Sequence, residues 1–232
     1  MITTYPIHEM FFTFQGEGNA SGLPAFFVRT YGCPIKCSFC DAAGTWHPSW
    51  IPKDIFRKTP EEIVSAAKAS GAKRIIVTGG EPTIFDLEPL VALGQRENME
   101  MHLETSGAFP IKGDFDWIVL SPKRAKGPEK QSVGLADEFK FIIEASEDIG
   151  YFTKLLLDTG SFRVDDARPI WLHPEWSHSQ DPDVLRAIVN QVKTGTDHYR
   201  AGWQLHKLYR ADSFDQRSLP LAPLGGNIMR GY

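Results

Sequence analysis

The sequence predicts an α/β fold with mostly parallel strands, an incomplete (βα) barrel or open curved sheet that is short of helices, and three observations carry that reading. Short apolar, β-branched runs alternate with helical periods, two of the connections between runs show no helical period, and 232 residues fall below what a full eightfold barrel usually needs. Buried strands are expected at 25–30, 73–78, 101–105, 117–121, 138–143, 169–172 and 203–206, most of them ending in Gly, Pro or polar residues. The clearest helix is Pro60–Ser70, where Thr59 and Glu62 make a capping box, Pro60 takes the first helical position and Gly71 is the stop. Weaker helices are expected at 87–96, 149–158 and 183–193, the last opened by Ser179 or Asp181 and closed before Gly195. Segments 106–116 and 122–137 are rich in Gly, Pro and Lys and read as loops. No repeat or linker interrupts this order, so residues 1–208 are expected to form one domain, with 209–232 a loosely docked extension.

Composition narrows the function classes. With 42% apolar and 23% charged residues the chain is neither disordered nor fibrous, and its net charge of −4 removes the usual electrostatic reason to expect nucleic acid as a partner. The longest apolar runs fall far short of the ~20 residues that cross a bilayer, so no membrane partner is expected. The first ten residues lack a cationic stretch followed by a long apolar one, and a reducing, cytoplasmic setting is the expectation.

Cys33, Cys37 and Cys40 fall within one run of eight residues, and the chain has no other cysteine. An odd, clustered set closes no disulfide framework, which leaves metal binding, redox chemistry or chance. Three thiolates in a loop after a strand can converge on one inorganic centre. A closed zinc site would need a fourth ligand, for which His47 is nearest, whereas three ligands to a four-iron cluster leave one iron open. Thr78-Gly79-Gly80-Glu81-Pro82 closes the second expected strand, where ligands gather in a parallel sheet. Its glycines admit close backbone approach and Glu81 could accept hydrogen bonds from an ammonium group, although an ordinary strand-to-helix turn also uses Gly-Gly.

Together the cysteine spacing, the preceding strand and the Gly-Gly-Glu turn resemble the radical S-adenosylmethionine (SAM) superfamily. A narrower resemblance is carried by Phe12-Thr13-Phe14-Gln15-Gly16-Glu17-Gly18, Phe26-Phe27-Val28-Arg29, Gly32-Cys33, Glu104-Thr105-Ser106-Gly107, Ser121-Pro122-Lys123, Phe139-Lys140-Phe141-Ile142 and Gln204-Leu205-His206-Lys207. In this order, from about residue 7 to about residue 208, they resemble the 7-carboxy-7-deazaguanine synthase family.

The resemblance implies a trimmed radical SAM barrel, usually a homodimer, that converts 6-carboxy-5,6,7,8-tetrahydropterin to 7-carboxy-7-deazaguanine with loss of ammonia, on the way to queuosine and other 7-deazapurines. It implies a 4Fe-4S cluster on Cys33, Cys37 and Cys40, reduced by a partner such as flavodoxin or ferredoxin. The free iron would chelate the methionine end of SAM, whose reductive cleavage gives a 5′-deoxyadenosyl radical. By the same resemblance Phe39, Cys40, Asp41, Gly80, Glu81, Ser121, Pro122 and Lys123 would contact SAM, and Phe14, Gln15, Gly16, Arg29, Thr78 and His206 the substrate. Arg29 could pair bidentately with the substrate carboxylate or make a structural salt bridge, and Glu17 could help or order its loop. In the family the second residue after the last cysteine offers a hydroxyl to Mg2+. Here it is Ala42, so magnesium falls to substrate, water and Asp41 or Thr45, or matters less. His173, Glu175 and His178 lie outside the pattern and read as a polar loop. The competing readings are a radical SAM activating enzyme acting on a glycyl-radical protein and a zinc-stabilised interaction protein.

Overall fold

The apolar runs assemble as expected into an open, mostly parallel sheet. The computed structural model describes residues 2–51 and 53–209. The extension expected at 209–232 therefore lies, from residue 210 on, outside the described residues. Nine strands, β1 (Tyr5–Phe14), β2 (Pro24–Thr30), β3 (Arg57–Lys58), β4 (Arg74–Gly79), β5 (Glu100–Thr105), β6 (Trp117–Leu120), β7 (Glu138–Ile143), β8 (Ile170–Pro174) and β9 (Tyr199–Ala201), stand in the order β3-β1-β2-β4-β5-β6-β7-β8-β9. β1 runs antiparallel to β2 and β3, and every other pairing is parallel.

Side chains of successive residues leave a strand on opposite faces, so each strand serves two environments. On the outer face Val28, Ile75, Val77, Met101, Leu103, Leu120, Phe139, Phe141 and Leu172 pack against helices α1 (Pro60–Ser70), α2 (Glu88–Arg96), α4 (Asp148–Asp158) and α5 (Pro182–Thr194) in the main core. On the inner face Phe11, Ala25, Phe27 and Ile76 form a second, smaller cluster. Most of the other inner positions, with Val119 and Ile142 among them, line the site described below, where polar side chains predominate.

The helix signals behave as their chemistry requires. Thr59 and Glu62 form the reciprocal capping box, with Gly71 in the left-handed conformation as C-cap. Of the two caps considered for α5, Asp181 is the one used, accepting from the Asp183 N–H with Pro182 at the first position.

Two expectations are corrected. Residues 203–206 are not a strand: β9 ends at Ala201, the Gly202 N–H makes the last ladder bond, to the Leu172 carbonyl, and the Gly202 backbone packs directly against the His173 ring. The chain then leaves the sheet and makes one helical turn, α6 (Leu205–Leu208). Segment 122–137 is not all loop, since it contains the short helix α3 (Lys130–Leu135). That helix is held by tertiary bonds rather than by an apolar period: Arg168 donates to the Val133 and Ala136 carbonyls, and Gln131 bonds both backbone groups of Ile111. Segment 106–116 is the expected helix-free crossover. Strand β1 was not anticipated, because a bulge between Ile7 and Glu9 breaks its period of two. No helix among the described residues is long and apolar enough to cross a membrane.

Candidate active site

Loops at the carboxyl ends of β2, β4, β5, β6 and β8 surround a cavity of about 250 Å³ on the inner face of the sheet. All of the expected site residues line it except Pro122, which is buried beside it, and Thr45. Thr45 is fully buried outside the cavity lining, where its hydroxyl donates to the Ala42 carbonyl at 2.7 Å, so it is not presented to a magnesium ion in the cavity.

Cys33, Cys37 and Cys40 are free thiols, half-buried on one wall of the cavity. Sulfurs around one zinc ion, each about 2.3 Å from it, would lie about 4 Å apart or less. The three here are set more widely, since among the described residues the one triad of ligating atoms within 4.8 Å of one another is Glu144, Glu175 and His178. His47, the fourth zinc ligand considered, lies away from the cavity with its ring against Trp46 and Trp50. The thiols thus fit a multi-iron centre better than a single closed ion. Burial, reinforced by the Asp41 carboxylate, pushes the Cys40 thiol up to about 12, so a cationic centre is what would hold it as a thiolate.

The Gly-Gly-Glu turn is built into the cysteine loop. Gly80 N–H donates to the Thr30 carbonyl and Glu81 N–H to that of Gly32, and a Cβ on Gly80 would come within 2.1 Å of the Gly32 oxygen. The Glu81 carboxylate carries a full set of internal partners: the Thr83 and Ser106 N–H groups and the hydroxyls of Thr83, Thr105 and Ser106. With about four lone-pair sites on a carboxylate, little remains for an external ammonium, and Glu81 locks the ends of β4 and β5 together. Lys123 is not a solvated surface lysine. Its ammonium donates to the Ser121 carbonyl at 2.9 Å and hydroxyl at 2.5 Å, and burial lowers its pKa.

The opposite wall is a buried network of charge. Arg29 Nε donates to Glu9 at 2.6 Å across the β1–β2 pairing, so the structural salt bridge exists while the guanidinium also lines the cavity. Gln15 Nε2 donates to Glu104 at 2.6 Å, and its Oε1 accepts from Glu17 N–H at 3.1 Å. Lys140 bridges Glu17 and Glu104. Burial opposes the charge of both Lys140 and Glu17. Their mutual attraction outweighs it, raising Lys140 above the ordinary lysine value and, with help from His173 and His206, holding Glu17 well below the carboxylate range.

Residues 204–207 close this side. Gln204 donates to Glu17 at 2.8 Å and to Asp41 at 3.3 Å, Lys207 lies 3.6 Å from Asp41, and Leu205 N–H donates to the Gly16 carbonyl. Gly16 is glycine because a Cβ there would meet His206 Nδ1 at 2.3 Å. Behind them His173 is fully buried with neither ring nitrogen hydrogen-bonded, and burial lowers its pKa to about 4. Glu175 lines the cavity and accepts from Ser177, with His178 2.9 Å away.

Sequence reasoning assigned no role to Glu9, Glu104, Lys140, Gln204 or Lys207, all of which line the cavity. The available signal was charge inside buried strands: Glu104 and Lys140 interrupt apolar runs, and such residues are buried only when paired.

Comparison with known proteins agrees with this geometry. The radical SAM superfamily profile matches residues 27–118, which span β2, the three cysteines and the Gly-Gly-Glu turn. Sheet and site together define a radical SAM enzyme. The 7-carboxy-7-deazaguanine synthases of Synechocystis sp. and Escherichia coli K12 are 38% and 32% identical to the chain, over 89% and 88% of it and 93% and 97% of their own lengths. The crystal structure of QueE from Escherichia coli superposes with a TM-score of 0.75 at 30% identity, covering 88% of this chain and 95% of that one. The chain belongs to the 7-carboxy-7-deazaguanine synthase family.

Proposed function

We propose that this chain converts 6-carboxy-5,6,7,8-tetrahydropterin to 7-carboxy-7-deazaguanine, releasing ammonia in a radical ring contraction. The observation that carries the reading is one cavity in which three free thiols face a buried Arg29–Glu9, Lys140–Glu17–Glu104 and Gln15 network. Cys33, Cys37 and Cys40 would hold a 4Fe-4S cluster, and Phe39, Asp41, Gly80, Ser121 and Lys123 would surround SAM. When bound, these groups supply the 5′-deoxyadenosyl radical.

The rest is the work of the chain's own residues. Arg29 offers a guanidinium edge to the substrate carboxylate. Gln15, Gly16, Phe14, Thr78 and His206 contact the heterocycle, and Glu17 and Glu104, both paired with Lys140, present acceptors for its ring N–H groups. Residues 204–207 cover the site and exclude water.

Magnesium is weakly provided for: Ala42 has no oxygen, Thr45 is committed, and Asp41 is shared by Gln204 and Lys207. The same family resemblance adds a flavodoxin or ferredoxin as reductant and a homodimer, and the composition and patterning of the sequence support a single 1–208 domain in the cytoplasm. An anaerobic assay of reconstituted protein with SAM, reductant and 6-carboxytetrahydropterin tests the reading. Formation of 7-carboxy-7-deazaguanine is expected. Its absence while SAM is still cleaved would turn the reading towards a glycyl-radical activating enzyme.

A further inference from the structure

We infer that Glu9 is the positioning residue that aims Arg29, and through it sets the preference of the site for a carboxylated substrate. The inference rests on the reading that Arg29 takes the substrate carboxylate. Glu9 and Arg29 are directly paired across the β1–β2 ladder, the last pair of the unbroken register that runs back from Phe14 and Pro24 to the bulge between Ile7 and Glu9.

The contact is selective in the atoms it uses. Glu9 accepts from Nε at 2.6 Å, and among the described residues the two Nη groups make no hydrogen bond. The salt bridge therefore occupies one flank of the guanidinium and leaves its Nη edge, the other bidentate face, towards the cavity.

Three carboxylates compete for Arg29. Glu9, Asp41 and Glu104 all hold it in their field, and of these Glu9 is the one in contact. Glu9 is also almost wholly buried, at 6% exposure, and so is little screened by solvent. Removing it would not free Arg29. The guanidinium would swing to Asp41 or Glu104 on the cavity wall and use its Nη edge there, blocking the carboxylate site.

The test measures binding of 6-carboxytetrahydropterin and of tetrahydropterin to the reconstituted holoenzyme with SAM and without reductant, and takes the ratio of the two affinities as the carboxylate preference. Glu9→Ala is expected to lower that ratio roughly 10- to 100-fold, the range for losing a charge-assisted hydrogen bond. Glu9→Gln, whose amide oxygen still accepts from Nε, should stay within about 3-fold of wild type, which a merely electrostatic role would not allow. Glu9→Ala/Arg29→Ala should be no worse than Arg29→Ala alone. A preference kept by Glu9→Ala but lost by Arg29→Ala would overturn the role of Glu9. A preference kept by Arg29→Ala would instead overturn the carboxylate reading of Arg29, and the inference with it. Should Glu9→Ala fail to load iron, Glu9→Asp, which keeps the charge and shortens its reach, carries the same comparison.

Discussion

At Glu81 the carboxylate faces five donors from Thr83, Thr105 and Ser106. Exchanging it for an amide replaces one acceptor by an N–H group that must point at other donors. Glu81→Gln should therefore cost about 1–3 kcal/mol, the penalty of unsatisfied buried polar groups. Denaturant unfolding measures it, and a loss below about 0.5 kcal/mol would show that the carboxylate is no clamp. Ala42 poses the opposite case, a missing oxygen on the cavity wall. Ala42→Thr restores a hydroxyl beside Asp41 and should lower the magnesium concentration at half-maximal turnover. An unchanged magnesium titration would mean that position 42 does not set metal affinity in this chain.

At the level of elements, the Gly-Gly-Glu turn and the cysteine loop behave as one unit, joined by the Gly80 and Glu81 N–H bonds to Thr30 and Gly32. The Cβ of Gly80→Ala would collide with the Gly32 carbonyl, a backbone atom with no rotamer to yield. The cysteine loop must shift, so this variant is expected to bind less iron per chain after reconstitution than wild type while keeping the far-ultraviolet dichroism of the fold; full iron loading would contradict the coupling. Both halves of the unit were legible in the sequence, because strands with continuous apolar runs and turns marked by glycine are local signals. The seven-strand reading placed six strands correctly for that reason. What the sequence withheld depends on partners far along the chain. β1 is masked by a bulge that exists only against β2, and α3 is fixed by Arg168, more than thirty residues away. The expected strand at 203–206 fails where the Gly202 backbone packs on a histidine of the neighbouring strand. The site divides in the same way: cysteines and glycines announce themselves by spacing, whereas Glu9, Glu104 and Lys140 acquire their roles only when the sheet sets them around one cavity.

Across the whole molecule, that buried charge network ties the β1 loop to β5, β7 and the closing segment, and it makes stability depend on pH in a defined way. Glu17 has a depressed pKa in the fold, so its contribution is present above the ordinary value of 4.5 and fades as pH falls through the lower folded value. Lys140 has a raised pKa, so its contribution is present below 10.5 and is lost only as pH climbs through the higher folded value. Between those limits both partners of the Lys140–Glu17 pair are charged. Among the described residues Lys140 is the one cation in contact with both Glu17 and Glu104, so Lys140→Met leaves the buried Glu17 and the half-buried Glu104 without it, a loss of about 3–5 kcal/mol near neutral pH. Without that cation, burial raises the pKa of Glu17, and the folded variant takes up a proton there more readily than its unfolded chain. Lowering the pH from 8 to 5 should therefore narrow the gap in Tm between wild type and variant. Burial lowers the folded pKa of His173 to about 4, below its ordinary 6.5, so it destabilises the fold on the acid side; Lys140 adds to that lowering, so its removal eases the penalty in the variant and narrows the gap in the same direction. A Tm gap that stays constant from pH 8 to 5 would mean that Glu17 does not rely on Lys140 for its charge.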